Sequence, residues 1–228
     1  TIVIMSGGKG KRLYPLTKKK PKALIKITKK TIIEIIINKF LDEGFSNFII
    51  CLGYKSKMII DFLKLKYPNL AVKYVIENKP LGTAGAVSKI KINNKLPFFV
   101  INCDILSNIN FKNLLDYHNK NKSSATMCIY EKEIQNDFGV VRAKANKFID
   151  IDEKPIIKFY INAGIYILNN KIIKLIPKNK YFNMTELFKL IKKNNLNNTV
   201  YPILENWIDI GNLSDLKNSR KNLNLYDL

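Results

Sequence analysis

The chain is poor in the residues from which metal clusters, disulfide frameworks and acid–base relays are built. Its 228 residues include one histidine and three cysteines. Cys51, Cys103 and Cys128 are an odd number without metal-ligand spacing, and each lies in an apolar, strand-like run. They read as buried free thiols suited to a reducing cytoplasm. His118 falls in a helical pattern, reads as a solvated helix residue, and has no serine or cysteine set around it. No apolar run approaches the ~18–20 residues of a membrane span. The opening apolar run is short and has no basic region before it, unlike a secretory signal. Acidic residues are scarce, 18 against 39 lysines and arginines, giving a formal net charge of +21. These cations are spread along the whole chain together with abundant asparagine and isoleucine, as AT-rich codon usage would produce. Neither an RNA-binding aromatic signature nor a helix-turn-helix pattern accompanies them, so charge alone does not argue for nucleic acid. The positive field does favour gathering anionic substrates.

What is present is concentrated at the beginning. Thr1-Ile-Val-Ile-Met5 reads as a buried strand opening into Ser6-Gly7-Gly8-Lys9-Gly10-Lys11-Arg12-Leu13, with Pro21-Lys22 beyond. Gly7, Gly8 and Gly10 let the backbone bend tightly and bring its N–H groups against an anion. Arg12 and Lys22 add side-chain charge for a polyphosphate. That combination suits phosphoryl or nucleotidyl transfer, in which positioning and charge neutralisation do most of the catalysis. The spacing excludes a P-loop, since no Lys-Ser or Lys-Thr follows at the required distance, and a G-x-G-x-x-G fingerprint, whose third glycine is missing. The segment from Gly7 to Thr17, followed by Pro21-Lys22, resembles the signature G-G-x-G-T-R-L-x-P-L-T, then P-K, of the sugar-1-phosphate nucleotidylyltransferases. Lys11 replaces the usual threonine, and Ala23 stands where proline is common.

Apolar runs and helix-period segments alternate through the first half. Thr31 and Glu34 form a capping box for a helix that Gly44 ends. Strands are expected at 47–52, 71–76 and 97–102, and helices at 55–66, 82–90 and 111–120. The second half reads as strands at 124–130, 139–143, 147–152 and 160–168, then helices at 184–193 and 213–223. This pattern predicts an α/β fold with a mostly parallel mixed sheet, covered on both faces and binding ligands beyond the strands' carboxyl ends. The resemblance makes it the Rossmann-like, three-layer α/β/α fold of nucleotide-diphospho-sugar transferases. The whole of 1–228 is read as one catalytic domain, with a nucleotide-binding half to about 110 and a sugar-binding half from about 111. No Gly/Ser/Pro linker divides them, and no hexapeptide repeat marks a C-terminal β-helix.

Six further segments carry the resemblance in family order. Glu77-Asn-Lys-Pro80-Leu-Gly82-Thr83-Ala-Gly-Ala86 matches the family's nucleobase loop, in which Gly82 leaves room for the ring. Glu77 is the candidate reader of the base. Guanine presents N1–H and an amine side by side, two donors that one carboxylate can accept, whereas uracil and thymine would face it with carbonyl oxygens. Asn102-Cys103-Asp104 ends an apolar strand and resembles N-G-D. Trp207-Ile-Asp209-Ile-Gly211 resembles W-x-D-I-G, and the family implies Mg²⁺ held by Asp104 and Asp209, hard oxygen ligands for a hard cation. Between them lie Phe138-Gly139-Val-Val141, Glu153-Lys154-Pro155 and Asn162-Ala-Gly-Ile-Tyr166, whose family counterparts supply sugar-phosphate contacts through Gly139, Glu153, Lys154 and Asn162.

The resemblance implies an enzyme joining a nucleoside triphosphate and a sugar 1-phosphate into a nucleotide sugar and pyrophosphate. Arg12, Lys22 and Asp104 are the catalytic candidates, and Gly7, Gly8, Gly10, Arg12, Glu77, Pro80, Gly82 and Thr83 the nucleotide-binding ones. The family's guanylyltransferases for mannose, heptose or glucosamine 1-phosphate look nearest, including those making GDP-glucosamine for legionaminic acid. Some of these carry a regulatory region ahead of the catalytic domain, and a chain starting at Thr1 is compatible with a missing one. The resemblance also leaves room for a homo-oligomer. Two other readings are a UTP- or dTTP-dependent enzyme of the same fold and a non-catalytic regulatory homologue that binds nucleotide sugar. Intact Arg12, Lys22, Asp104 and Asp209 argue against the latter.

Overall fold

The computed structural model describes residues 1–92 and 94–221. The strands, in chain order, are β1 (Ile2–Ser6), β2 (Phe48–Leu52), β3 (Val72–Ile76), β4 (Phe98–Asn102), β5 (Ile105–Ser107), β6 (Ala125–Gln135), β7 (Val140–Lys144), β8 (Lys147–Asp152), β9 (Ile156–Leu168), β10 (Asn198–Ile203) and β11 (Trp207–Asp209). Among them run α1 (Leu16–Lys19), α2 (Ile32–Asp42), α3 (Ser56–Lys66), α4 (Gly82–Gly85), α5 (Phe111–Lys120), α6 (Met184–Lys193) and α7 (Leu213–Lys221). A seven-stranded sheet has the order β10-β6-β9-β4-β1-β2-β3. β1, β2, β3 and β4 are parallel, while β9 runs antiparallel to both β4 and β6. β10 then pairs parallel to β6, with Thr199 opposite Thr126. The expected mostly parallel mixed sheet is therefore present.

Period-two burial explains the three layers. Ile2 and Ile4 of β1, Phe48 and Ile50 of β2, and Ile165 and Ile167 of β9 join one buried cluster with α2, α3 and α5. Val3, Ile49, Val100 and Tyr166 point the other way, into a second cluster with α4 and α6. The α2 segment begins at the expected capping box, in which Thr31 N–H donates to Glu34 Oε2 at 2.7 Å and Glu34 N–H donates to Thr31 Oγ1. Phe40, on its buried stripe, stacks on Phe111 of α5 with ring centroids 3.8 Å apart.

Several expectations need correction. The 82–90 segment is one turn of α-helix followed by a 3-10 turn over Ala86–Lys89. The Phe182 carbonyl accepts both the Ala84 and Gly85 N–H groups, anchoring this segment to the chain before α6 instead of to a longer helix. β6 and β9 run well beyond the main sheet as an exposed two-stranded ribbon. Edge strand β10 and the short β5–β11 ribbon were not expected. The last helix is described to Lys221, so the expected 222–223 end lies outside the described residues.

His118 is not solvated. It is 1% exposed, with Nδ1 2.8 Å from Thr126 Oγ1 and Nε2 3.2 Å from Asn169 Oδ1. It follows Phe111 and Leu114 on the buried stripe of α5, a spacing readable in the sequence. Burial lowers its pKa below the ordinary histidine value. The three cysteines are free and buried, as expected. No helix among the described residues is long and apolar enough to cross a membrane.

Candidate functional site

In the sheet, β1 has β2 on one side and β4 on the other, so the connections leave it in opposite directions. A crevice opens beyond the carboxyl ends at such a point. It is a cleft of about 660 Å³, and Gly7, Gly8, Lys22, Glu77, Gly82 and Asp104 all face it. Pro80 and Thr83 line it too. Residues 174 to 176 positions apart in sequence are thereby brought around one cavity, from Gly7 after β1 to Tyr181 and Asn183 before α6.

The glycine loop is braced from two sides. Gly10 sits at φ +60, and Thr17 Oγ1 donates to its carbonyl at 2.8 Å. A Cβ on Gly53 would lie 2.7 Å from the Gly7 carbonyl oxygen, so the loops after β1 and β2 are in backbone contact. Tyr54 N–H donates to that same carbonyl at 3.2 Å. Lys55 Nζ donates to the Lys18 and Lys19 carbonyls at 2.6 and 2.8 Å, tying down α1. Nothing in the local sequence of Tyr54-Lys55 distinguishes this bracing role, because it depends on long-range packing.

The base-loop candidates are held as tightly. Gly82 sits at φ +76, and a Cβ there would meet the Phe182 carbonyl oxygen at 2.6 Å, so glycine alone fits. Phe182 N–H donates to the Leu81 carbonyl at 2.8 Å, and Thr83 Oγ1 accepts from Met184 N–H at 2.9 Å. Glu77 Oε2 accepts the Leu81 N–H at 2.9 Å, while Oε1 points at Gly7, where a Cβ would lie only 2.8 Å away. Burial raises the Glu77 pKa, partly offset by that N–H and by Lys89. One carboxylate oxygen thus shapes the loop and the other faces the glycine turn.

The charged centre lies where β4 ends. Lys22 Nζ is 2.7 Å from Asp104 Oδ2, with the two side chains 15% and 27% exposed. The β5–β11 ribbon brings Asp209 alongside: Asp209 pairs with Ile105, and Ile210 N–H donates to the Asp104 carbonyl at 2.9 Å. Asp209 Oδ1 is buried without a hydrogen-bond partner, as is Asn102 Oδ1. Burial raises the Asp209 pKa and Asp104 raises it further, against Lys22 and Arg12. Arg12 lies beside the end of this ribbon, its Nη1 3.0 Å from where a Gly211 Cβ would stand, and neither it nor Gly10 lines the cleft. No group of three or more His, Cys, Asp or Glu among the described residues could hold a metal. The donor set that remains, two adjacent carboxylates of which one oxygen is orphaned, fits a Mg²⁺ that keeps waters and phosphate oxygens in its other positions. Cys103, between these groups, is pushed up to about 12 by burial, which leaves it an inert thiol.

The sugar-side candidates divide. Asn162 Oδ1 accepts Gly164 N–H at 3.0 Å, and Gly164, at φ +73, packs against Asn102, two residues before Asp104. Trp207 Nε1 donates to the neighbouring Ala163 carbonyl at 2.9 Å, closing β9 onto β11. Gly139 and Glu153 adjoin each other, a Gly139 Cβ falling 2.8 Å from Glu153 Oε2, and Lys154 follows at φ +48. These three lie on the exposed β7–β8 side and do not line the cleft.

Sheet order, switch point and glycine loop together define an α/β protein whose crevice suits a phosphate-bearing ligand. Residues 1–224 match the nucleotidyl transferase family model, and the chain belongs to that family. It is similar to a mannose-1-phosphate guanyltransferase of Aspergillus fumigatus, with 31% identity over 224 residues. That match covers 93% of this chain and 61% of the fungal protein, so the chain spans about three fifths of the curated relatives' length. The crystal structure of HddC from Yersinia pseudotuberculosis superposes with a TM-score of 0.73 at 28% identity, covering 97% of this chain and 98% of that one. HddC complexed with GMP-PN superposes at 0.75 and 27% identity, with the same coverage.

Proposed function

We propose that this chain transfers a nucleotidyl group, GMP by preference, from a nucleoside triphosphate to a sugar 1-phosphate. The products are a nucleotide sugar and pyrophosphate. Family membership supports the reaction class. The guanyltransferase relatives and the HddC complex with GMP-PN support guanine. The observation that carries the reading is the single cleft joining Glu77 and the glycine turn at one end to Lys22, Asp104 and neighbouring Asp209 at the other.

The sugar phosphate is already a competent nucleophile and needs no base. Its oxygen attacks the α-phosphorus, and the bond to the β-phosphate oxygen breaks in line, releasing pyrophosphate. Arg12 and the amides of Gly7, Gly8 and Gly10 hold the β- and γ-phosphates, where negative charge accumulates as the leaving group departs. Lys22 exchanges its bond to Asp104 for the α-phosphate region. Lys154 steers the incoming phosphate, and Glu153 accepts sugar hydroxyls, with Asn162 a second hydroxyl partner and the Gly139 backbone approaching the sugar. Asp104 and Asp209 would hold Mg²⁺, which supplies charge neutralisation at the reacting phosphates. Glu77 reads the base through Oε1 and the remaining lone pair of Oε2, since Leu81 N–H takes only one acceptor site. Pro80, Gly82 and Thr83 form the wall against which the base lies. The unpaired buried thiols suit a reducing, cytoplasmic setting.

Incubation with each of four nucleoside triphosphates against mannose, glucosamine, heptose and glucose 1-phosphates, read by mass spectrometry, tests the reading. A GDP-sugar as the major product is expected. Nucleoside monophosphate alone, or no turnover with any pair, would overturn it.

A further inference from the structure

Two aromatic side chains line the cleft, Tyr54 and Tyr181, and only one of them is already engaged. Tyr54 donates its hydroxyl to the Thr17 carbonyl at 3.2 Å and so belongs to the bracing of the glycine loop. The Tyr181 side chain makes no hydrogen bond or ring contact among the described residues. It is 64% exposed. Of the large apolar side chains exposed among the described residues, it is the one that lines the cleft. A ring open toward a cavity offers apolar area and a π face to whatever enters.

The backbone that carries this ring is clamped on both sides. Before it, the Lys180 carbonyl oxygen lies 2.8 Å from where a Gly85 Cβ would stand. After it, Phe182 N–H donates to the Leu81 carbonyl at 2.8 Å, and the Phe182 carbonyl accepts Ala84 and Gly85 N–H at 3.0 and 2.8 Å. Leu81 in turn donates its own N–H to Glu77 Oε2 at 2.9 Å. One residue therefore bonds through its N–H to the candidate base reader and through its carbonyl to the neighbour of Tyr181. That chain of two hydrogen bonds fixes Tyr181 at the Glu77 end of the cleft.

A carboxylate such as Glu77 reads the edge of a base and leaves its two π faces uncovered. An aromatic ring against one of those faces strengthens binding by ~10-fold or more, and does so for any base, because each has a π face. With the backbone already held, only the rotation of the ring itself is lost on binding. We infer that the Tyr181 ring stacks on the nucleobase whose edge Glu77 reads. It sets the affinity for the nucleoside triphosphate and leaves the choice of base to Glu77. The inference rests on the nucleotide-binding reading proposed above.

Titration calorimetry of wild type and Tyr181→Ala with GTP and with inorganic tripolyphosphate tests this, with thermal melts as the fold check. Tripolyphosphate carries the phosphates without a base. GTP should bind the variant ~10-fold or more weakly, and any other triphosphate that binds measurably should lose by the same factor. Tripolyphosphate should bind both proteins equally, and the melts should coincide because the ring is exposed. Tyr181→Phe keeps the ring and should bind as wild type does. In steady state, Tyr181→Ala should raise KM for the triphosphate while kcat and KM for the sugar 1-phosphate stay near wild type. A variant that binds GTP as tightly as wild type, or loses tripolyphosphate to the same degree, would overturn the inference and leave the proposed function standing. A wild type that binds GTP no better than tripolyphosphate would overturn stacking by Tyr181 and base reading by Glu77 together.

Discussion

Replacing Lys22 by methionine removes one half of the best-buried ion pair in the cleft and leaves the other half in place. Lys22 Nζ and Asp104 Oδ2 are 2.7 Å apart with most of both side chains out of water. Such a pair lies between the exposed case, ~0–1 kcal/mol, and the fully buried case, ~3–5 kcal/mol for loss of one partner. Lys22→Met therefore should destabilise by ~2 kcal/mol, a fall in melting temperature of ~4–8 °C for a chain of this size. Asp104 would then face Asp209 unneutralised, and the Asp209 pKa, already raised by burial and by Asp104, should rise further. Asp104→Asn acts in the opposite sense. It leaves Lys22 charged beside Asp209 and removes the repulsion between the carboxylates, so its cost should stay below ~1 kcal/mol. Thermal melts of the two variants read this asymmetry directly, and the double variant gives the coupling. Millimolar Mg²⁺ should raise the melting temperature of the wild type and, more strongly, of Lys22→Met, by binding the native carboxylates. Equal destabilisation by the two substitutions, or melts insensitive to Mg²⁺, would refute the electrostatic account of this centre.

Asp209→Asn should lower turnover by ~10²-fold or more, whereas Asp152→Asn, which loses only an exposed partner of Arg142, should leave it near wild type; steady-state kinetics of the two variants decide it. Glu77→Gln should shift kcat/KM away from GTP toward UTP or dTTP, because an amide offers one donor and one acceptor to a pyrimidine edge and leaves a guanine donor unmatched; unchanged ratios across the four triphosphates would remove Glu77 from base reading. His118 is held neutral by burial, with a folded pKa below its ordinary value. Above about pH 7 it costs nothing, and stability is lost as pH falls through ~6.5 toward the folded pKa because only the unfolded chain takes up the proton. Urea melts of wild type and His118→Gln should therefore converge between pH 7.5 and 5, and parallel pH profiles would contradict this.

Local signals made some elements readable. The Thr31–Glu34 box and the Gly44 stop set the bounds of α2, and the amphipathic stripes of α5 and α6 gave the structure's own limits for those helices. The cleft residues that follow a strand (the glycine loop, Glu77 and Asp104) were legible because a parallel sheet delivers strand ends to one rim. Asp209 was found by motif, but its approach to Asp104 depends on the β5–β11 pairing across about a hundred residues, which no local pattern announces. Tyr54, Lys55, Tyr181 and Asn183 escaped for the same reason. Tyr54 bonds to the Gly7 carbonyl, Lys55 to α1, and Asn183 lies against Gly82, while Tyr181 lines the cleft. The misreading of His118 had a different origin, since its polarity outweighed a spacing that already placed it with Phe111 and Leu114.

Pyrophosphate release, followed continuously with GTP and mannose 1-phosphate supplied singly and together, tests the central claim most directly. The cleft is held to activate transfer to a sugar phosphate and not to water. Release should require both substrates, and it should fall by ~10²-fold or more when Arg12 is replaced by alanine in a protein with an unchanged spectrum. Release from GTP alone, or no release with any sugar 1-phosphate of the panel, would contradict the account.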